Sequence, residues 1–174
     1  AMDRSPEEVL ISLEEQFKEL VQLEQIRLIV QNELPELQKI AFTFRYYGRD
    51  FTRLSVCSNG WLSFGATPVV YYRNWKVPTP GAADDMVAVF WDELQLTPGE
   101  GGVFTWYDAA NHRFVVEWSR LRNAYTEPLV ITPETFQAVI YDPAWRAGET
   151  GDGDILMQYH TVNQVDALNG YATV

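Results

Sequence analysis

The chain has little basic charge and a single cysteine. Its 174 residues include 13 Lys and Arg against 24 Asp and Glu, which gives a formal net charge of −11 at pH 7. Phosphate backbones and anionic membranes both attract clustered basic residues, so this charge balance argues against nucleic acid and membrane surfaces as partners. One cysteine, Cys57, cannot form an internal disulfide. We expect it to be a small buried apolar residue rather than a reactive thiol.

The motifs of several enzyme classes are also missing. The chain has only two histidines, His112 and His160, so a three-histidine zinc site is impossible, and no HExxH sequence occurs. There is no G-x-S-x-G sequence, and the glycine-rich GEGG segment lacks the Lys-Ser/Thr of a phosphate-binding loop. No stretch approaches the 18 or so apolar residues of a membrane span, and no signal peptide is visible. We therefore predict a protein that is not an enzyme, has no cofactor and does not enter a membrane.

The chain does contain a series of short strand patterns. Each pattern is rich in β-branched and aromatic residues and is bounded by turn residues. Asn59-Gly60 predicts a tight hairpin with a type I′ turn, in which both central residues have positive φ. No helical pattern separates the runs, so they predict an all-β antiparallel sandwich. The runs are FTFRYY, LSVC, WLSF, VAVFW, GVFTWY, RFVVEW, TFQAVIY and DILMQY.

The N-terminal segment has a different pattern. Ser5 is placed as an N-cap, Pro6 as the first helical residue and Glu8 as the acid of a capping box. Apolar residues then recur on one face, which predicts an amphipathic α-helix from about Pro6 to Gln25, with continuation to Asn32 as the alternative. We predict a helical segment over residues 1–39 and a β-sandwich module over residues 40–174. The apolar face comprises Leu10, Leu13, Phe17, Leu20 and Val21.

That apolar face has two interpretations. It covers part of the sandwich, or it mediates self-association or docking to a neighbouring domain through a short heptad-like spacing. A helix that lies on a membrane surface is disfavoured because the polar face is mostly acidic.

The order of the strand motifs resembles NIDO-like β-sandwich modules, which occur in nidogen-type proteins and in secreted bacterial proteins such as gingipain-like peptidases of the type IX secretion pathway. The resemblance covers roughly residues 42–174. Cys57 departs from it, since such modules usually carry a small hydroxyl residue there. The motifs are FRYYGRDF, VCSNGWLSFG, VAVFWDELQL, GGVFTWYD, RFVVEW, ETFQAVIYD and GDGDILMQYHTV.

The resemblance implies a function and a location. The expected function is that of a non-catalytic accessory or adhesion module, an interaction or spacer domain of a secreted or cell-surface bacterial protein. Its partners would be an extracellular protein or glycan, or neighbouring domains of the parent chain. Because such modules normally continue into another strand after Tyr171-Ala-Thr-Val, the sequence is also expected to be truncated at the C-terminal end of the module.

Aromatic residues in two turn-rich segments are the candidate ligand-binding residues. Loop aromatics beside Arg and Asn can stack on sugars or anchor a protein partner, which makes a carbohydrate-binding module the alternative function. The opposing interpretation is that these rings fold back over the end of the sandwich. The candidates are Tyr71, Tyr72, Arg73, Trp75 and Trp145.

Acidic residues give a further alternative, a carboxylate-based glycoside hydrolase, because that chemistry needs only two suitably separated acids. Glu117 alternates with apolar residues and is predicted to be solvated. Asp92 follows an apolar strand and is predicted to accept backbone N–H bonds from a turn. The candidate acids are Asp84, Asp85, Asp92, Glu93 and Glu117.

Calcium is the one metal for which the chain offers candidates. Asp152 and Asp154 stand in a Gly-Asp-Gly-Asp segment, and Asp92 could act as a separate ligand. The twelve-residue calcium loop with its distal Glu is absent from the sequence. A hairpin turn is the favoured explanation of the segment.

Overall fold

The computed structural model describes residues 27–29, 35–70, 72, 77–96, 100–123 and 133–162. In these ranges the chain forms β-strands and one short 3₁₀ turn, at Ala109–Asn111, and no α-helix occurs in them. The predicted helix from Pro6 to Gln25 lies outside the described residues. The strands are β1 Arg27–Ile29, β2 Glu36–Tyr46, β3 Arg49–Cys57, β4 Trp61–Phe64, β5 Met86–Ala88, β6 Leu94–Gln95, β7 Gly102–Asp108, β8 Arg113–Asn123, β9 Glu134–Tyr141 and β10 Ile155–Thr161.

The strands form two antiparallel sheets. The larger sheet has the order β1-β7-β8-β9-β10, with β6 paired to the end of β8, and the smaller sheet has the order β2-β3-β4-β5. Neighbours in the path from β7 to β10 and from β2 to β5 are also consecutive in the chain, so they are joined by simple antiparallel connections. The predicted all-β antiparallel sandwich is confirmed.

Strand residues occur earlier in the chain than the sequence patterns indicated. β1 pairs with β7, with Arg27 opposite Thr105, so the alternative of a helix that continues through residues 27–29 is wrong. β2 begins at Glu36, before residue 40, at which we expected the sandwich module to begin. The run from Ile26 to Val30 fits both a strand and a helical period, and pairing with β7 decides between them.

The main core lies between the two sheets. Phe44 of β2 and Phe64 of β4 stack with ring centroids 4.6 Å apart, and Trp118 of β8 stacks on Phe136 of β9 at 5.1 Å. The indole Nε1 of Trp118 donates a hydrogen bond to the carbonyl oxygen of Cys57, at 2.8 Å, which links the two sheets through a buried polar contact. Cys57 is buried and free, as predicted.

The turn at Asn59-Gly60 forms, but its predicted type is wrong. Cys57 pairs with Trp61, so the loop has three residues, and of Asn59 and Gly60 only the glycine has positive φ, at +77°. Asn59 is buried, and its Oδ1 accepts a hydrogen bond from the N–H of Leu94. A tertiary contact therefore fixes Asn59 in a conformation that a local turn rule does not anticipate.

The outer faces of both sheets carry their own apolar clusters. On the smaller sheet, Cys57 and Trp61 pack with Met86 and Trp91. On the larger sheet, Trp106, Val115 and Val139 form a buried cluster. Part of each outer face is thus withdrawn from solvent.

Candidate functional site

Three connections meet at one end of the sandwich. The N–H of Gly48, in the β2–β3 turn, donates to Asp152 Oδ1 at 2.9 Å, and the N–H of Gly153 donates to the carbonyl oxygen of Arg45 at 2.8 Å. These bonds join the β2–β3 turn to the β9–β10 connection. The N–H of Asp142 donates to the carbonyl oxygen of His112 at 2.8 Å, which adds the β7–β8 connection to the same end.

The most exposed aromatic ring at this end, apart from that of Tyr47 in the β2–β3 turn, belongs to Trp145, which has 71% of its surface exposed. One face of the indole stacks on the imidazole of His112, with ring centroids 4.3 Å apart and an angle of 19° between the planes. We call the area formed by His112, Trp145 and Arg146 the Trp145 surface. It presents a large aromatic ring, one face of which packs on the His112 imidazole.

Backbone hydrogen bonds hold the segment that carries Trp145. The carbonyl oxygen of Asp142 accepts from the N–H groups of Trp145 and Arg146, at 2.9 and 2.8 Å. The Asp142 carboxylate also accepts from the N–H of Ala144, at 2.9 Å. Short side chains such as Asp stabilise turns in this manner, so the backbone beneath the exposed ring is ordered before any ligand arrives.

Arg146 completes the Trp145 surface with a positive charge. Its guanidinium lies 4.4 Å from the centroid of the Tyr141 ring, in a cation–π contact, and its Nε lies 2.7 Å from Asp154 Oδ2. Both contacts fix the direction of a side chain that is otherwise flexible. The surface therefore combines one exposed indole with one oriented guanidinium.

Of the predicted ligand-binding residues that the structure describes, Trp145 is the one whose side chain is largely exposed. Its ring does not fold back into the sandwich. Tyr72 is half-buried, while Tyr71, Arg73 and Trp75 lie outside the described residues. The ligand-binding role of all five stays a prediction.

His112 and Arg146 were not among the predicted site residues, although the sequence held a signal for them. Arg113 pairs with Tyr141 at the ends of β8 and β9. Once these strands are paired, the residue before Arg113 and the residues after Tyr141 must lie at the same edge of the sheet. Strand pairing, which the local patterns did not supply, was the missing step.

A groove with a volume of about 490 Å³ lies beside β3, β4 and the connection that follows β4. Its walls include Phe51, Thr67, Pro68 and the ion pair in which Arg49 Nη1 lies 2.8 Å from Asp85 Oδ2. It adjoins the root of the connection that contains the predicted aromatic loop. No sequence pattern predicted this groove, because it depends on how the connection packs on β3 and β4.

The prediction that Glu117 is solvated is wrong. The side chain does point away from the core between the sheets, since its neighbours Val116 and Trp118 point into that core. It is nevertheless buried on the outer face of the larger sheet, where Gln137 Nε2 donates a hydrogen bond to its Oε2. Alternation gives the direction of a strand side chain but not whether the face it occupies is covered.

Asp92 has the structural contacts expected from its place after a strand. Its Oδ1 accepts from the N–H of Glu93 at 2.8 Å, as predicted, and its Oδ2 accepts from Asn123 Nδ2 at 2.9 Å. Of the other candidate acids, Asp85 is paired with Arg49 and Asp84 is exposed.

The three calcium candidates are also in separate contacts. Asp152 Oδ1 accepts from the N–H of Gly48, Asp154 pairs with Arg146, and Asp92 pairs with Asn123. In the part of the chain that the structure describes, no three His, Cys, Asp or Glu side chains are grouped so that they could hold a metal ion.

Comparison with known proteins gives one result. A family model described as NIDO related matches residues 11–174, which is nearly the whole chain. Neither the curated proteins nor the solved structures contain a match. Among the described residues, no helix is long and apolar enough to cross a membrane.

Proposed function

The chain belongs to the NIDO-related family, and from this premise we propose that it is a non-catalytic accessory module of a secreted or cell-surface protein, which works by interaction with an extracellular protein or glycan. The observation that carries the proposal is the exposed ring of Trp145 at one end of the sandwich, where one face of the ring stacks on His112. A bacterial source, which the motif resemblance implies, stays a prediction.

The arrangement of Trp145 suits an anchor for a partner. Tryptophan and arginine are enriched among the residues that contribute most to binding, because they bury a large area and combine apolar and polar contacts. Here the stack on His112 and the hydrogen bonds to Asp142 already restrict the Trp145 segment. Little further ordering is needed on binding, which lowers the entropic cost of association.

A glycan is supported as the alternative partner by the way the indole is placed. One ring face rests on His112, and the large exposed fraction leaves the other side open. A planar aromatic face can receive the apolar face of a sugar ring, and the adjacent Arg146 can donate hydrogen bonds to hydroxyl groups.

The absence of catalysis is part of the proposal. Two of the candidate acids, Asp92 and Glu117, are buried and accept hydrogen bonds from the side-chain amides of Asn123 and Gln137. Such contacts support a structural role for both carboxylates.

Binding of the purified chain to a panel of polysaccharides and extracellular-matrix proteins tests the function. We expect saturable binding that Trp145→Ala weakens at least tenfold, equivalent to about 1.4 kcal/mol or more. Trp145→Phe, which keeps a ring, should retain more affinity than Trp145→Ala. The matched control is Leu37→Ala, an exposed apolar residue on β2.

The outcomes separate the alternatives. Binding to one glycan class that depends on Trp145 would establish a carbohydrate-binding module, whereas binding to proteins alone would support adhesion. Unchanged affinity in Trp145→Ala, with the fold intact by circular dichroism, would refute the Trp145 surface as the binding face. No binding across the whole panel would leave a spacer that contacts its own parent chain.

A further inference from the structure

The outer face of the larger sheet is covered at its centre. Val115 of β8 and Val139 of β9 point away from the core between the sheets, because the residues on either side of each belong to that core. Both are nevertheless almost fully buried, with 2% and 1% of their surface exposed. Glu117 and Gln137, the next residues on the same face, are buried as well. The outer face of an antiparallel sheet is commonly solvated, so burial at this level requires other side chains above it.

In the part of the chain that the structure describes, the residues of this outer cluster come from the sheet itself. The cluster and the residue packed on it are Trp106, Val115, Val139 and Tyr141. The β9–β10 connection adds Arg146, whose guanidinium lies over the Tyr141 ring. Gln137 is four residues, or about 13 Å, away from Tyr141 along β9. Because the burial is that of a single molecule, the remainder of the cover belongs to residues of this chain outside the described ranges.

The cover lies over β7, β8 and β9, and in this row it stops short of β10. Trp106, Val115, Val139 and Leu156 stand opposite one another across the four strands. The first three are buried, whereas Leu156, on β10, is 39% exposed. From β7 to β9 the sheet measures about 10 Å, which is close to the diameter of one α-helix. The covered part of the face is thus the part towards β1, which pairs with β7 at the opposite edge from β10.

We propose that residues 6–25 form the amphipathic helix that the sequence predicts, and that its apolar side packs on the outer face of the larger sheet, over Val115 and Val139. The segment ends just before Arg27, the first residue of β1, so the chain enters the sheet at the edge beside β7. A helix of this length spans about 30 Å, and the 11 residues of β8 span about 36 Å. The helix is then a third layer of the module and not an arm for self-association. The side chains it buries are Leu10, Leu13, Phe17, Leu20 and Val21.

Other stretches outside the described ranges suit the cover less well. Residues 124–132 join β8 to β9, and a loop of this length with both ends fixed reaches about 17 Å. Val115 lies farther than that from Asn123, the last residue of β8, at about 26 Å. Residues 163–174 follow β10, the strand at which the cover stops. The family match begins at residue 11, inside the proposed helix, so most of the helix belongs to the module.

Nuclear Overhauser effects test the contact directly in the full, unmodified chain. We expect cross-peaks between the methyl groups of Val115 and Val139 and the side-chain protons of Leu13, Phe17 or Leu20, because such peaks arise only between protons that are close together. A sample that mixes labelled with unlabelled chains shows whether the peaks arise within one molecule. Peaks that arise only between molecules would overturn the proposal. Peaks from the two valines to residues 124–132 or 163–174, with none to residues 6–25, would also overturn it.

A matched pair of variants then tests whether the contact stabilises the fold. Phe17→Gln places a polar residue on the apolar side of the helix, and Lys18→Gln places the same helix-forming residue on the opposite side. We expect Phe17→Gln to lower the urea midpoint by roughly 0.5–1 M, the loss that follows from removing a buried phenylalanine. Lys18→Gln should leave the midpoint within about 0.2 M of that of the unmodified chain. Equal midpoints in the two variants would refute packing of this side of the helix on the sheet.

Discussion

An alanine Cβ at position 60 would lie 1.8 Å from the carbonyl oxygen of Phe90, far inside any permitted contact. Gly60 also has φ +77°, which side chains rarely adopt. Gly151 has a similar φ, +81°, but open space around its missing side chain. The two positions therefore separate the cost of backbone conformation from the cost of a close approach.

We predict that Gly60→Ala lowers the free energy of unfolding by at least ~3 kcal/mol, whereas Gly151→Ala lowers it by roughly 1–2 kcal/mol, the cost of left-handed backbone alone. Urea denaturation of both variants measures the two losses. The comparison requires that the free energy of unfolding falls with urea concentration at the same slope in both variants, which the same curves show. Equal losses in the two variants would show that the contact between Gly60 and Phe90 can relax freely.

Gly60 also shows which local features the sequence could and could not predict. Asn59-Gly60 predicted a turn because these residues tolerate positive φ, and a turn forms there. The buried contacts of the turn with Phe90 and Leu94 come from a segment some thirty residues later in the chain. Local turn chemistry carries no information about such a partner, so the type of turn could not be predicted.

Among the connections between strands, the one from β7 to β8 depends on a single buried acid. Asp108 Oδ1 accepts from the N–H of Asn111, and Asp108 Oδ2 lies 2.8 Å from Arg113 Nε. Both members of this ion pair are largely buried. In contrast, Asp50 and Arg45, in the β2–β3 hairpin, form an ion pair of which about half is exposed to water.

We predict that Asp108→Ala destabilises the protein by about 2–4 kcal/mol, because it leaves the Arg113 guanidinium without its buried partner and removes the cap of the 3₁₀ turn. Asp108→Asn should cost less, since it keeps the acceptor for Asn111. Asp50→Ala, the exposed control, should change stability by no more than about 1 kcal/mol. Thermal unfolding of the three variants measures the difference, and equal effects of Asp108→Ala and Asp50→Ala would contradict it.

Strands were predictable where apolar and polar residues alternate between turn residues. Alternation in Leu54–Cys57 and Trp61–Phe64 predicted β3 and β4, although the structure buries both faces of these residues. It was less informative for Arg27–Ile29, where the run suits two periods, and for Glu117, whose outward face is buried. In both cases the deciding interaction comes from another element of the larger sheet.

At the scale of the whole molecule, the sandwich followed from the number and spacing of strand patterns, but the Trp145 surface did not. It is assembled by pairing β8 with β9 and by docking the β2–β3 turn on the β9–β10 connection. The contact between Gly48 and Asp152 spans 104 residues of sequence. Trp145 could be recognised as a loop aromatic, whereas its neighbours required the topology.

Within the described ranges, the fold raises the pKa of three weak acids. Burial raises the pKa of the Cys57 thiol to about 11, from an ordinary value of 9.0. Burial likewise raises the pKa of Tyr159 and, with a smaller contribution from neighbouring charges, that of Tyr46. The three residues belong to β3, β10 and β2, so both sheets contribute such a group.

Alkaline pH should therefore destabilise the folded state. Because the folded pKa of each acid lies above its unfolded value, its contribution to stability is complete below the unfolded pKa and is lost as the pH rises towards the folded pKa. For Cys57 the loss falls between pH 9.0 and about 11. Urea denaturation at about pH 8 and about pH 10.5 should show a lower midpoint at the higher pH. Cys57→Ala removes the thiol and should reduce this fall in the urea midpoint. The general charge repulsion of an acidic chain would lower the midpoint equally in both proteins. An identical fall in both would therefore mean that the thiol ionises as readily in the folded sandwich as in the unfolded chain.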